Sequence, residues 1–321
     1  MNKTSNFNEL IIPGSLPLSD KVQETPFQKG HKLGDDLYTI TSDGPIHSSS
    51  TSTVYIAEDD DVVNPEVVLK IFNEPSRDVS KRVTRELSAL ATLNGLSGVV
   101  ETRKMGILRE TEQPQRFVAT TFAGSSLESL IPDDNNQRLD ILVNMASIIL
   151  PALVEVHRRE IIHNDIKTTN IVGQLGKWVL TDFGLVGAKP GMINQLSNNL
   201  EQEPWTTETI STLAGTIGYI APELLNNPNN LTPRADVFSF GVTMFRVASG
   251  KLPFYIGCSG EPPDSRMRSY LYSVIRESPV NIHTLNRAVP ISLNNLIMEC
   301  LDRDPNNRPS TEELNTSIQA I

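Results

Sequence analysis

The chain has 321 residues, 38% of them hydrophobic, enough to bury one large core or two smaller ones. Lys and Arg number 28 against 38 Asp and Glu, and the resulting formal charge of −10 repels phosphate backbones and anionic membranes, so nucleic acid is not an expected partner. The two cysteines, Cys258 and Cys300, lie in separate segments; they are too few for a disulfide-stapled secreted fold and read as free thiols in a reducing compartment.

Residues 1–35 are rich in Asn, Ser, Pro and charge and read as a flexible extension, with Leu10-Ile11-Ile12 as its one apolar cluster and no secretory h-region. No apolar run approaches the roughly 20 residues that cross a bilayer. The longest, near Ile148–Val156, is bounded by charge and contains Pro151. A soluble, cytoplasmic protein without a membrane span is expected.

From Leu37 the texture changes. Leu37–Thr41, Thr53–Glu58 and Val67–Phe72 are β-branched and aromatic runs, the first two separated by the turn-rich stretch Ser42–Ser52. A helix is predicted over Arg77–Leu93, closed by Gly95, because Val79, Val83, Leu87, Leu90 and Leu93 form one stripe at helical period. Glu86 falls on that inward stripe. A buried carboxylate left unpaired costs several kcal/mol, so a cation must meet it. Short strands are predicted at Val99–Thr102, Met105–Leu108 and Phe117–Phe122, and from Leu139 the pattern is mainly helical. The organisation expected is an extension at 1–35, a β-rich half at 36–123 and an α-rich half at 124–321. Pro151 should kink the helix predicted over Leu139–His157 or shift its start.

The chemistry concentrates between two apolar runs. Asp165, Lys167 and Asn170 lie within six residues in Ile161–Val172, and Asp182-Phe183-Gly184 follows twelve residues after Asn170. Carboxylate and amide oxygens are hard ligands suited to Mg²⁺ arriving with phosphates, and a lysine two residues past a carboxylate can neutralise a transferring phosphoryl group. A polar loop with ordinary caps would explain either motif alone, but not both at this spacing.

These residues resemble the eukaryotic-type (Hanks-type) Ser/Thr protein kinase family, whose pattern runs H-R-D-x-K-x-x-N, D-F-G, A-P-E. Here these motifs read His163–Asn170, Asp182–Gly184 and Ala221-Pro222-Glu223. Val67-Val68-Leu69-Lys70 resembles the V-A-I-K strand, Glu86 the helix glutamate, and Asp236–Gly241 the D-V-[WF]-S-[FL]-G helix. Arg308 resembles the late arginine that pairs with the A-P-E glutamate, here Glu223. The resemblance implies a bilobal α+β kinase fold, with a β-rich N-lobe carrying one main helix and an α-helical C-lobe. It also implies ATP and Mg²⁺ as cofactors and a protein substrate with a Ser or Thr acceptor.

By that resemblance the catalytic residues are Asp165, which receives or orients the hydroxyl proton, and Lys167, which neutralises the γ-phosphate. Lys70, paired with Glu86, holds the α- and β-phosphates. Asp182 and Asn170 hold the metal, and Val54, Val68 and Val172 complete the nucleotide site. His163 is expected to be scaffolding for the Asp-Phe-Gly backbone. Thr216, in Gly215–Glu223, should bond Asp165 and Lys167 and, with Lys167, favours Ser/Thr over Tyr.

The pattern is broken in places. Counting back from Val54, the glycine positions of the nucleotide loop fall on His47, Ser49 and Ser52, and glycine is what lets backbone N–H groups approach phosphate closely. Ser48–Ser52 either approach phosphate less well or use hydroxyls instead. Val68 stands where alanine is usual and narrows the adenine pocket. Asn164 replaces the arginine that receives an activation-loop phosphate, making this a non-RD variant whose activity should not require loop phosphorylation. The loop between Asp182 and Ala221 carries Ser197, Thr206, Thr207, Thr209, Ser211 and Thr212 as autophosphorylation candidates, and Glu201, Glu203 and Glu208 as a solvated acidic face. A pseudokinase scaffold and a small-molecule kinase are the alternatives; the glycine-poor loop and Val68 support the first, and the Thr216–Glu223 segment, shaped for docking peptides, opposes the second.

Overall fold

A computed structural model describes residues 27–35, 37–60, 66–109, 111, 113–186, 216–226, 231–258, 260–261 and 263–321. Leu10–Ile12, the candidate phosphorylation positions Ser197–Thr212 and the acidic residues among them lie outside the described residues. The described chain divides into two compact units, one running to Leu96 and including Val100–Phe122, the other comprising Ser97–Val99 and everything from Ala123. The fold class is α+β, as the sequence predicts.

The first unit is an antiparallel sheet with strands β1 (Lys32–Leu33), β2 (Tyr38–Ile40), β3 (His47–Ser48), β4 (Ser52–Asp59), β5 (Glu66–Phe72), β6 (Thr102–Leu108) and β7 (Gln115–Thr121), in the order β1-β2-β4-β5-β7-β6 with β3 on β4. β3 lies inside the stretch read from sequence as turn alone; two residues are too short to show alternation. Likewise Val99–Thr102 is not a strand of its own: Val99 makes an isolated parallel bridge to Leu180, and β6 starts at Thr102.

Alternation gives this sheet two distinct faces. Tyr55, Ala57, Val67, Leu69, Ile71, Phe117 and Ala119 point into one buried cluster with Tyr38, Ile40 and Leu108. The intervening residues Val54, Ile56, Val68, Lys70, Val118 and Thr120 share the opposite face, since Lys70 stands opposite both Val54 and Val118 in register. Helix α1 (Arg77–Leu93) lies against this second face. Ser76 caps its start by accepting from the Val79 N–H at 3.3 Å, and Val79, Val83, Leu87, Leu90 and Leu93 are all buried.

The second unit carries a three-stranded sheet of β8 (Ser125–Ser126), β9 (Ile171–Gln174) and β10 (Lys177–Leu180). Its helices are α2 (Leu127–Leu130), α3 (Asn135–Arg158), α4 (Pro222–Asn226), α5 (Pro233–Ser249), α6 (Pro263–Arg276), α7 (Ile282–Leu285), α8 (Ile291–Cys300) and α9 (Thr311–Gln319). Helix α3 runs unbroken through Pro151 and begins at Asn135, where Asp134 caps it by accepting from the Asn136 and Gln137 N–H groups. Pro151 itself is exposed, while Ile149, Leu150, Ala152 and Leu153 are buried on either side of it. That burial holds the helix across the missing N–H.

By length and composition α3 is long and apolar enough to cross a membrane, but half of that stretch is buried inside the unit, as in a core helix. Asn144 and Ser147 break the apolar run in sequence. In the fold Asn144 turns its side-chain oxygen to the Gly176 N–H and the Trp178 indole N–H, at 2.8 and 2.9 Å. The helix packs against α5, α9 and β10. At the crossing of α5 and α8, a Cβ on Gly241 would stand 2.7 Å from the Cys300 Cβ, so this position admits no side chain without movement.

Candidate active site

In the first unit, Lys70 donates to Glu86 Oε1 at 2.5 Å, joining β5 to α1. Glu86 is 5% exposed, so the cation its burial demands is Lys70. The Phe72 ring lies 5.4 Å from the same ammonium, on the same strand face. Val54, opposite Lys70, and Val68, two residues before it, are half-buried on that face.

The loop that occupies the glycine-loop position is a tight hairpin between β3 and β4. Ser49 Oγ accepts from the Thr51 and Ser52 N–H groups at 3.2 and 3.1 Å, and the Ser49 N–H donates to the Ser52 carbonyl at 2.9 Å. A hydroxyl therefore closes the tip and takes the very amides that a glycine turn leaves open.

In the second unit, the loop 163–170 gathers its charged groups on one carboxylate. Asp165 Oδ2 accepts from Lys167 Nζ at 2.6 Å and from Asn170 Nδ2 at 2.9 Å; Oδ1 accepts from the Thr216 hydroxyl at 3.0 Å. Lys167 also donates to Thr216 Oγ1 at 2.6 Å. Asp165 is 7% exposed, so these donors hold a charge that water does not.

The backbone of this loop is fixed from below by Asp236, in the first turn of α5. Its carboxylate accepts from the His163 and Asn164 N–H groups, each at 2.8 Å, and contacts His157 Nε2 at 2.8 Å. Complete burial alone would raise the Asp236 carboxyl, but hydrogen bonding and charge from His157 and the loop amides outweigh it and hold the group below its ordinary value. His163 is buried. Its Nε2 donates to the Thr181 carbonyl at 2.9 Å while Nδ1 accepts from the Asp165 N–H at 3.2 Å, one neutral tautomer serving both. Its ring also packs on the buried Phe183 at 4.6 Å.

The hairpin β9–β10 carries the remaining polar groups. Ile171 pairs with Leu180 and Val172 with Val179, so Asn170 and Thr181 flank the paired ends, tied by the Thr181 N–H to the Asn170 carbonyl at 2.9 Å. Asp182 follows, exposed and with φ of +60°. Asn164 also sits in the left-handed region, at +62°, where asparagine is among the few side chains accommodated. Val172 is half-buried beside Ser126.

The donor set suits Mg²⁺. Among the described residues no group of three or more His, Cys, Asp or Glu side chains could enclose a metal. An ion that brings phosphate oxygens and waters needs only one or two protein oxygens; the residues that would offer them are Asp182, through its carboxylate, and Asn170, through its amide oxygen, the Asn170 NH₂ being engaged by Asp165.

Beside Lys167 and Thr216 opens a cavity of about 820 Å³, lined also by Tyr219, Leu252, Phe254 and Ile256. One wall is a network that no motif announced. Thr168 and Arg246 donate to the two oxygens of Glu128 at 2.5 and 2.6 Å, and Thr168 meets the Tyr219 hydroxyl at 3.1 Å. Burial would raise the Glu128 carboxyl, yet these bonds hold it below its ordinary value. Farther off, Arg308 grips Glu223 through both nitrogens at 2.7 Å, both side chains buried.

Comparison with known proteins gives one consistent family. Residues 45–317 match the protein kinase domain. A probable serine/threonine-protein kinase of Clostridium acetobutylicum is 28% identical over 80% of this chain and 36% of its own length. The probable serine/threonine-protein kinase PknB of Lactococcus lactis is 27% identical over 89% of this chain and 42% of its own. The serine/threonine-protein kinase PrkC of Bacillus subtilis is 26% identical over 84% and 38%. The chain thus spans less than half the length of these three relatives. With the matched region running from the β3–β4 hairpin to α9, the chain belongs to the protein kinase domain family.

Proposed function

We propose that this domain transfers the γ-phosphate of ATP to serine or threonine hydroxyls of protein substrates. The observation that carries the reading is the arrangement around Asp165: a buried carboxylate held by an ammonium, an amide and a hydroxyl, beside a cavity that Lys167 and Thr216 themselves line. Asp165 takes the proton of the acceptor hydroxyl as its oxygen bonds to the γ-phosphorus and ADP leaves. Lys167 neutralises the charge on the transferring group. Lys70, oriented by Glu86, binds the α- and β-phosphates, and Val54, Val68 and Val172 pack on the base. Asp182 and Asn170 hold Mg²⁺, which when bound neutralises charge spread over the phosphoryl oxygens. Lys167 bonded to Thr216, together with the likeness to three serine/threonine-protein kinases, supports Ser/Thr over Tyr as acceptor. The free thiols Cys258 and Cys300 suit a reducing, cytoplasmic setting.

Asp165→Asn tests this. Transfer from ATP to a generic basic protein should fall roughly 10²- to 10⁴-fold, while the nucleotide-dependent rise in Tm persists. A scaffold that binds nucleotide without turning it over would show no transfer in either form, and equal transfer in both would remove Asp165 from the chemistry.

A further inference from the structure

We propose that Arg116 is a positioning residue, fixing helix α1 on the sheet so that Glu86 meets Lys70. The inference deepens the kinase reading and rests on it for its effect on catalysis. Arg116 is fully buried on β7, a strand whose alternate residues Phe117 and Ala119 belong to the apolar cluster. Two residues before Val118, it therefore shares the sheet face of Lys70.

Its guanidinium is saturated with contacts. Nε and Nη2 donate to the two oxygens of Glu74 at 2.7 and 2.6 Å, Nη2 also reaches the Ser80 carbonyl at 2.9 Å and Ser80 Oγ at 3.1 Å, and Nη1 donates to Thr84 Oγ1 at 2.9 Å. Ser80 and Thr84 stand one turn apart on α1, linked to each other by the Thr84 hydroxyl to the Ser80 carbonyl at 2.9 Å. Glu74 lies in the connection between β5 and α1. The neighbouring Gln115 ties that connection to β7 a second time, through Asn73 Oδ1 at 2.9 Å.

One planar fork thus joins the sheet, the lead-in to α1 and the first half of α1, ending two residues before Glu86. A helix moves as a rigid rod, so a shift at Thr84 carries Glu86 with it. A buried ion pair is weak evidence of net stabilisation, because desolvation offsets the Coulomb gain. What this pair supplies is a fixed geometry, and a lysine, whose three donors sit on one nitrogen, cannot make the two parallel bonds to Glu74 while also reaching Ser80 and Thr84.

The test is a kinetic cycle on the full chain with Arg116→Met, Glu86→Gln and the double variant. Arg116→Met should lower kcat/KM for ATP about tenfold or more while Glu86 is present, should leave the KM for a peptide acceptor unchanged, and should change little once Glu86 is Gln. Arg116→Lys should fail to restore the value. Equal factors in both backgrounds, or a parallel rise in the peptide KM, would overturn the inference.

Should Arg116→Met not fold, Ser80→Ala with Thr84→Val removes the two helix-side hydroxyl acceptors, leaving only the Ser80 carbonyl on α1, and keeps the Arg116–Glu74 pair; the same cycle applies with a smaller expected factor. A second readout needs no turnover: the rate at which a lysine-acylating reagent modifies Lys70, scored by mass spectrometry. Coupled acylation in a chain that transfers no phosphate would keep the positioning role and sink the kinase reading. Transfer activity with uncoupled acylation would do the reverse.

Discussion

The two units hold their charged groups in different ways. In the first, Lys70 and Glu86 come from a strand and a helix 16 residues apart, and the helix is itself pinned by Arg116. In the second, Asp165, Lys167 and Asn170 come from one short loop whose backbone is bolted to Asp236 and whose side chains are tied to Thr216. A group carried on a separate helix can be displaced as a body, so its geometry can be switched; a group on a loop nailed at both backbone and side chain cannot. The comparison locates adjustability in the first unit and rigidity in the second.

The strongest way to break that contrast is Asp236→Ala. It leaves the His163 and Asn164 N–H groups and His157 buried without an acceptor. At about 1–3 kcal/mol for each buried donor left unsatisfied, stability should fall by several kcal/mol and transfer should be lost with it, as denaturant melts and activity assays on the same samples would record. A loop that stayed active would not be held as described.

The same carboxylate gives a pH signature. Its pKa is depressed in the fold, so its stabilisation is complete above the ordinary aspartate value of about 3.9 and is lost as pH falls through the lower folded value. Asp236→Asn should therefore flatten the loss of stability seen on acidification below about pH 4.

A smaller effect sharpens the picture. Thr216→Val removes one hydroxyl shared by Asp165 and Lys167. Hydrogen bonds to charged groups contribute about 1.5–3 kcal/mol, so kcat should drop about ten- to hundredfold with the KM for ATP unchanged; a rise in that KM instead would mean the hydroxyl serves nucleotide binding. Least affected should be a chain with alanine at every Ser and Thr from Ser197 to Thr212. Asn164 lacks the cation that would bind a loop phosphate, so activity should stay within about twofold. Loss of activity rescued by acidic substitutions would reverse that expectation.

Legibility in sequence followed contact distance along the chain. Helix α1 could be read to its ends because five apolar residues share its stripe and Gly95 closes it; the cap at Ser76 came only with the structure. The carboxylate, lysine and asparagine of the catalytic loop lie within six residues, so their proximity needed no tertiary information. The clamp of Arg116 on Glu74 spans 42 positions and the Glu128–Arg246 pair 118, and no local pattern marks either. An arginine in a strand otherwise rich in Phe, Val and Ala was the one available sign, since a cation there must find partners. The apolar run read in sequence at Ile148–Val156 is only part of helix α3, which starts at Asn135 and whose Asn144 is met by Trp178 and Gly176.

The serine-closed hairpin has an energetic corollary. Because Ser49 Oγ already occupies the Thr51 and Ser52 amides, a phosphate arriving there exchanges one acceptor for another. The gain is the difference between an anionic and a neutral hydrogen bond, reduced by the cost of freeing the alcohol. On the proposed nucleotide role such a tip would hold triphosphate less tightly than an open turn, and Ser49→Gly, by freeing both amides, should raise nucleotide affinity.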